Sequence, residues 1–274
     1  MEFVVLALIG LASGVIGSIA GLGGGTILVP VTLFVGLNLG MIPDITPQSV
    51  VGLSVIMMIA NGLGSTVSYM KVKTIDYKSA FLFFVASIPG IIIGALINKN
   101  LSLQSFNLYF GILLIVLSTL LLTRKYLKPI RWFVDNGKKM KFTDPQGKTH
   151  IYGYPIWFAI LLALFIGFTS GLFGIGGGTM IVPAMILLFL FPPHVAVATS
   201  MLMVFLSAIV NSISHISLGH VPWLYTIPVV PGAYFGGMLG AYLNSRMKSE
   251  TLVLIIRIIL LIFGLRSIYE GIWG

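Results

Sequence analysis

Long apolar runs recur from one end of this chain to the other, several of them past the length of about 18 residues that marks a membrane-crossing helix. Ten apolar segments emerge, five per half: about 3–20, 25–37, 47–70, 77–98 and 103–123, then about 154–173, 178–191, 195–218, 222–244 and 251–272. Only 8% of the residues are charged and 57% are hydrophobic, whereas a soluble domain carries about 25% charged residues. The fold class that follows is an all-α integral membrane protein. There is no cysteine, which removes disulfides and thiolate metal sites. The start, Met1-Glu2 followed by apolar residues, lacks the basic n-region and polar cleavage zone of a signal peptide and reads as a retained membrane segment.

One phrase occurs twice. Gly21-Leu22-Gly23-Gly24-Gly25-Thr26-Ile27-Leu28-Val29-Pro30 is echoed by Gly174-Ile175-Gly176-Gly177-Gly178-Thr179-Met180-Ile181-Val182-Pro183. Further landmarks follow in the same order. Gly52-Leu53-Ser54 matches Ala198-Thr199-Ser200, and on that offset Gln48 matches His194, Ser65 matches Asn211 and Tyr69 matches His215. Ile88-Pro89-Gly90 with Gly94 matches Val230-Pro231-Gly232 with Gly236. The chain therefore divides into a first transmembrane repeat (1–123), a polar linker (124–150) and a second repeat (151–274).

The orientation of the repeats follows from counting crossings. As one straight helix, residues 3–37 would run ~52 Å at 1.5 Å per residue, too long for one crossing. Gly23 to Gly25 break it, leaving either a re-entrant hairpin or two full crossings. Both alternatives make an odd total per half once three more helices are added, so the second half is expected upside down relative to the first. Loop charges agree. Eight of the sixteen Lys and Arg lie between Arg124 and Lys148; with that linker cytoplasmic, Lys71, Lys73, Lys78, Arg246 and Lys248 also fall inside, against Lys99 outside. The net charge of +9 thus reads as cytoplasmic-loop bias, not a nucleic-acid surface. A plasma-membrane location with both termini outside is expected, and Trp132 and Phe133 suggest that the linker partly lies on the membrane surface.

A helix broken at membrane depth exposes amide groups that have no intrahelical partner, and its dipole places about half a positive charge there. Such an end binds anions without a basic side chain, and glycine lets a ligand approach the backbone. In a duplicated membrane protein, breaks of this kind commonly mark a substrate site between the repeats. Gly23, Gly24, Gly25, Gly176, Gly177 and Gly178 are candidates to line it. Thr26 and Thr179 sit where a capping hydroxyl would help, or where it could donate to an oxyanion. Glycines also serve close helix packing, the reading preferred for Gly14, Gly17, Gly94, Gly167, Gly236 and Gly237. The third segment of each half adds polar groups on one helical face: Ser54, Asn61, Ser65 and Ser68, and Ser200, Ser207, Asn211 and Ser214. Helix–helix hydrogen bonding accounts for the hydroxyls; Asn61 and Asn211 are as readily placed on the pathway. Gln48, Tyr69, His194 and His215 are candidates for gating or coupling. Arg257, inside the last segment, either snorkels to the interface or meets an anion. No acid pair, histidine cluster or nucleophile–base pair supports an enzyme, and no metal site or cofactor is implied.

The doubled glycine phrase, Ala198-Thr199-Ser200 and the Pro-Gly pairs at 89–90 and 231–232 resemble the sulfite exporter TauE/SafE family of membrane permeases, over essentially the whole chain. The resemblance implies transport, usually outward, of small sulfur-containing anions such as sulfite, sulfoacetate and other short sulfonates. Transferred by position, the site comprises Gly23, Gly24, Gly25, Thr26, Gly176, Gly177, Gly178 and Thr179, with Ser54 and Ser200 nearby. Gly52-Leu53-Ser54 departs from the Thr-Ser of the second half, so the halves need not contribute equally. The expected function is a transporter working by alternating access, with a small anion and the surrounding lipid as partners. A passive anion channel, or an uptake permease for a different small anion, is the alternative. Oligomeric state stays open, a homodimer included.

Overall fold

The computed structural model describes residues 2–38, 40–43, 45–123, 132–143, 149–244, 246 and 249–273. Along the chain come α1 (Glu2–Ala20), α2 (Gly25–Leu33) continued by a π-helical turn over Phe34–Asn38, α3 (Pro47–Val72), α4 (Tyr77–Asn98) and α5 (Leu103–Thr123). A short α6 (Trp132–Asp135) and the strands β1 (Lys138–Thr143) and β2 (Thr149–Tyr154) follow. The second half holds α7 (Ile156–Phe173), α8 (Gly178–Leu187), α9 (Pro193–Ser217), α10 (Trp223–Asn244) and α11 (Ser249–Trp273). Local chemistry sets several boundaries. Thr46 and Ser49 form a reciprocal capping box before α3, with Pro47 in its first turn. Asp76 starts α4 by accepting from the Lys78 and Ser79 amides.

Among the described residues, α1, α3, α4, α7 and α9 are long and apolar enough to cross a membrane. Burial divides them. The spans of α3 and α9 are 78% and 72% buried, those of α1, α4 and α7 only 44%, 39% and 50%. α3 and α9 are therefore the central pair. The outer helices turn Leu8, Val85 and Phe165 outward, an apolar coat suited to lipid.

Small residues let the helices meet. α1 runs alongside α10 in the same direction, Gly10 on Val229 and Gly14 on Ala233. α7 runs alongside α4 likewise, with Gly90 on Leu164 and Gly94 on Phe168. Each seam joins one half to the other. α5 and α11 instead run antiparallel, Gly111 against Gly264 and Leu108 against Gly271. The six glycines assigned to packing all lie on a neighbour's backbone; Gly17 rests on Gly24, and Gly167 on Ser87.

These contacts correct one register. Gly90 meets Leu164 and Phe168, while Gly236 meets Leu11 and Val15. Those partners stand as far apart in sequence as the two glycine phrases. Gly90 thus corresponds to Gly236, and Gly94 to Gly240, one helical turn beyond the sequence match of Pro89-Gly90 with Pro231-Gly232. A one-turn slip keeps the same helix face, so the apolar pattern alone does not expose it.

The linker is not plain coil. β1 and β2 pair antiparallel, Met140 opposite Tyr152 and Lys138 opposite Tyr154. The second strand runs to residue 154, past the expected boundary at 150. Tyr152 and Tyr154 dock the hairpin where α3 ends and α4 begins, through Tyr152 Oη–H to Asp76 Oδ2 (2.9 Å) and Tyr154 Oη–H to Ser79 Oγ (2.8 Å). Residues 124–131 and 144–148 lie outside the described residues, as does the side chain of Arg257.

Candidate functional site

Both glycine phrases interrupt their helices. Residues 21–24 part α1 from α2, and 174–177 part α7 from α8. Gly24 at φ 81° and Gly176 at φ 74° take a backbone conformation that disfavours side chains. The Ile27 and Leu28 amides return to the Gly24 carbonyl, which leaves those of Gly25 and Thr26 without an intrahelical acceptor. The two phrases cross in direct contact. Gly25 lies against the Gly174 carbonyl and Gly178 against the Gly21 carbonyl, with no room for a Cβ on either. In this conformation those two glycines serve packing between the breaks. Gly177 differs, since a Cβ there would meet only side-chain ends of Ile166 and Met203.

The threonines are not caps, contrary to one sequence expectation. Gly24 and Gly177 hold the N-cap positions, with no side-chain cap. Thr26 Oγ1–H donates to the Ile175 carbonyl of the other phrase (3.1 Å), and Thr179 Oγ1–H to the carbonyl of Gly176 in its own phrase (3.3 Å). Each hydroxyl sits one residue inside the first turn and is spent on a carbonyl of the crossing.

The central helices hold the crossing from both sides. Ser54 donates to the Gly174 carbonyl (2.7 Å) and Ser200 to the Gly21 carbonyl (3.0 Å). The two bonds are counterparts: each serine grips the other half's phrase. Other polar groups form counterpart bonds too, each within its own half. Tyr69 Oη–H donates to Ser18 O (3.0 Å), and His215 Nε2 meets Gly171 O (3.1 Å). Gln48 reaches the Asn98 and Leu101 carbonyls at one end of the bundle, while His194 Nδ1 lies 3.4 Å from Asn244 Oδ1 at the other.

Asn61 and Asn211 sit one step away from the crossing, in separate clusters. Asn61 lies over Gly237 beside Ser65, which donates to Ser18 Oγ (2.7 Å). Asn61 is fully buried, yet neither atom of its amide has a partner. An amide left so is costly, by about 1–3 kcal/mol on mutational scales. Asn211 donates to Ser170 O (3.1 Å), while its Oδ1 is unpaired. The buried polar side chains among the described residues are hydroxyls, amides and His215, with no charged group. Any anion held here would rest on dipoles.

Two site residues escaped sequence reasoning. Asn98 Nδ2–H donates to the Leu172 carbonyl (2.8 Å) and Asn244 Nδ2–H to the Ile19 carbonyl (2.6 Å), each tying one half's helix to the end of the other half's broken helix. The offset from Ser54 to Ser200, carried on to Asn98, lands on Asn244. The slipped Pro-Gly match hid that correspondence.

The family described as "Sulfite exporter TauE/SafE" matches the chain over residues 6–267. Among curated relatives, "Probable membrane transporter protein YunE" of Bacillus subtilis (strain 168) is 46% identical over 274 residues, covering 100% of both chains. "Probable membrane transporter protein YjnA" of the same organism is 27% identical and covers 96% of this chain and 98% of its own. A "Probable membrane transporter protein" of Xylella fastidiosa (strain 9a5c) is 27% identical, covering 89% of this chain and 84% of its own. No solved structure matches.

Proposed function

This chain belongs to the sulfite exporter TauE/SafE family, and from that premise we propose that it is a membrane transporter that exports a small sulfur-containing anion, sulfite or a short sulfonate, held between the starts of α2 and α8. The observation that carries this reading is the crossing itself: two helix breaks in contact, each gripped by a serine from the opposite half. The helix starts supply amides and positive dipole ends to the sulfonate oxygens. Thr26 and Thr179, whose hydroxyls now donate to carbonyls of the crossing, turn to the anion when the phrases part.

The halves act as inverted repeats. The exchanged serine bonds and the antiparallel run of α5 against α11, the last helices of the two halves, support that reading. The plasma membrane then holds the linker hairpin at its cytoplasmic face. Asn98 on Leu172 latches one end of the path and Asn244 on Ile19 latches the other; releasing one at a time exposes the crossing to one side, which is alternating access.

The test is counterflow of labelled sulfite and sulfoacetate in proteoliposomes, with binding to the purified protein beside it. Thr26→Val and Thr179→Val are expected to weaken binding by roughly tenfold each, the effect of one lost hydrogen bond to a charged group. Binding equal to the parent's in both variants would remove the crossing as the site. Currents far above transporter rates would replace the transporter with a channel.

A further inference from the structure

A second candidate site lies at the hairpin, away from the crossing. Between β1 and the first turn of α4 opens a cleft of about 750 Å³, bordered by Lys78, Lys139 and Lys141. The hairpin is held firmly enough to shape it. Besides the Asp76 and Ser79 bonds, the Gly153 amide donates to Phe189 O (3.0 Å), and the Tyr154 ring packs on Phe83 and Phe189. Lys139 and Lys141 stand opposite Gly153 and Ile151, on the strand face away from the docked Tyr152 and Tyr154. Lys78 of α4 lines the same cleft.

Two acids lie near the lysines. Asp76 lines the cleft as well, its carboxylate accepting from the Lys78 and Ser79 amides, the Ser79 hydroxyl (2.6 Å) and the Tyr152 phenol, so three lysines border the cleft against this one carboxylate. Asp135 approaches Lys139 only at 4.0 Å, both side chains more than half exposed, a geometry of small energetic weight. The cleft also has a lipid side. Tyr77 of α4 and Ile156 of α7 line it and are exposed; Phe81 and Val85, one and two turns on from Tyr77, and Trp157, next to Ile156, are exposed too, and Trp132 stands exposed just before the hairpin.

We propose that this cleft binds the headgroup phosphate of an anionic phospholipid, with the acyl chains lying along the apolar flank of α4 and α7. A soluble phosphate has no use for that flank, and a zwitterionic lipid gains nothing from three lysines. Basic clusters at the membrane surface favour anionic lipid by this chemistry. The linker thereby acquires a role, folding over the start of α4 and completing a lipid site that the helices alone lack. The inference rests on the chain spanning a membrane and is independent of the transported substrate.

The full-length protein, purified in mild detergent at about 0.15 M salt, is given equal amounts of phosphatidylglycerol and phosphatidylcholine, and the retained lipid is counted by mass spectrometry. Wild type is expected to retain phosphatidylglycerol over phosphatidylcholine by roughly tenfold or more. The variant Lys78→Gln/Lys139→Gln/Lys141→Gln is expected to retain the two alike. Lys71→Gln/Lys73→Gln, which removes exposed lysines outside the cleft, is expected to keep the preference. Equal retention by wild type overturns the proposal, as does loss of preference in the Lys71/Lys73 variant to the same degree, which would mark undirected surface charge. Displacement of the lipid by millimolar inorganic phosphate would make the occupant a free phosphate and overturn it as well. Should the triple variant fold poorly, Lys139→Gln alone, at an exposed hairpin position, carries the test: it is expected to lower the preference, and an unchanged preference overturns the proposal.

Discussion

Gly178 illustrates how little freedom the crossing leaves. An alanine Cβ there would strike the Gly21 carbonyl, backbone that cannot swing aside. Gly178→Ala is expected to destabilise the protein by about 3 kcal/mol, read as a drop in thermal unfolding temperature in detergent, whereas Gly177→Ala meets methyls of Ile166 and Met203 and no backbone and is expected to cost less. Asn61 makes the opposite case. Its buried amide without partners burdens the fold, so Asn61→Leu is expected to raise stability by about 1 kcal/mol or more while lowering counterflow. Gain of stability with transport intact would make Asn61 a bystander. His220, in the loop after α9, pairs its Nδ1 with that of His215 at 3.0 Å. Burial, with Lys99 adding to it, lowers the His220 pKa from its ordinary value. The unfolded chain therefore binds the proton more readily. Stability is full above the ordinary histidine pKa of about 6.5 and is lost as pH falls below it. Unfolding temperatures taken from pH 7.5 down to 5.5 should fall, and His220→Gln should flatten part of that fall.

Elements here are joined by a few polar contacts whose effects reach past their own helix. Asp76 ends one loop, caps α4 and accepts from Tyr152 of the hairpin, and its own amide donates to Thr199 of α9 (3.0 Å). Burial, reinforced by the Asp76 charge, raises the Tyr152 pKa and keeps the phenol a donor throughout the physiological range. Asp76→Ala is expected to cost about 1–2 kcal/mol through the lost cap and to loosen the hairpin with it. Hydrogen–deuterium exchange would show this as faster exchange in β2 than in α5. A change confined to the first turn of α4 would mean that the ring cluster under Tyr154 holds the hairpin by itself.

For the molecule as a whole, the proposed inversion of the halves makes a sidedness prediction that the absence of cysteine makes easy to test. Ser102 is exposed at the end where α4 meets α5, and Ser217 is exposed near His220 at the same end; Lys141 is exposed on the hairpin at the opposite end. Single cysteines at Ser102 and Ser217 should react with an impermeant maleimide from outside intact cells, and one at Lys141 only after permeabilisation. Labelling of Ser102 and Ser217 from opposite sides would refute inversion. Much of this arrangement is already legible along the chain. Ten apolar segments, the breaks at Gly23–Gly25 and their counterpart, and the partnership of Ser54 with Ser200 all follow from length, periodicity and repetition, because lipid requires each crossing to satisfy its backbone internally and so leaves a plain apolar signature. What the linear pattern does not contain is contact. That Gly25 packs on Gly174, that Asn98 and Asn244 bind the ends of the opposite half's broken helices, that Thr26 reaches across to Ile175, and that residues 138–154 fold back over Asp76 are facts of tertiary structure. Helix faces repeat every turn and apolar side chains are interchangeable in lipid, so register and partner are settled only when backbones close to within a glycine's width.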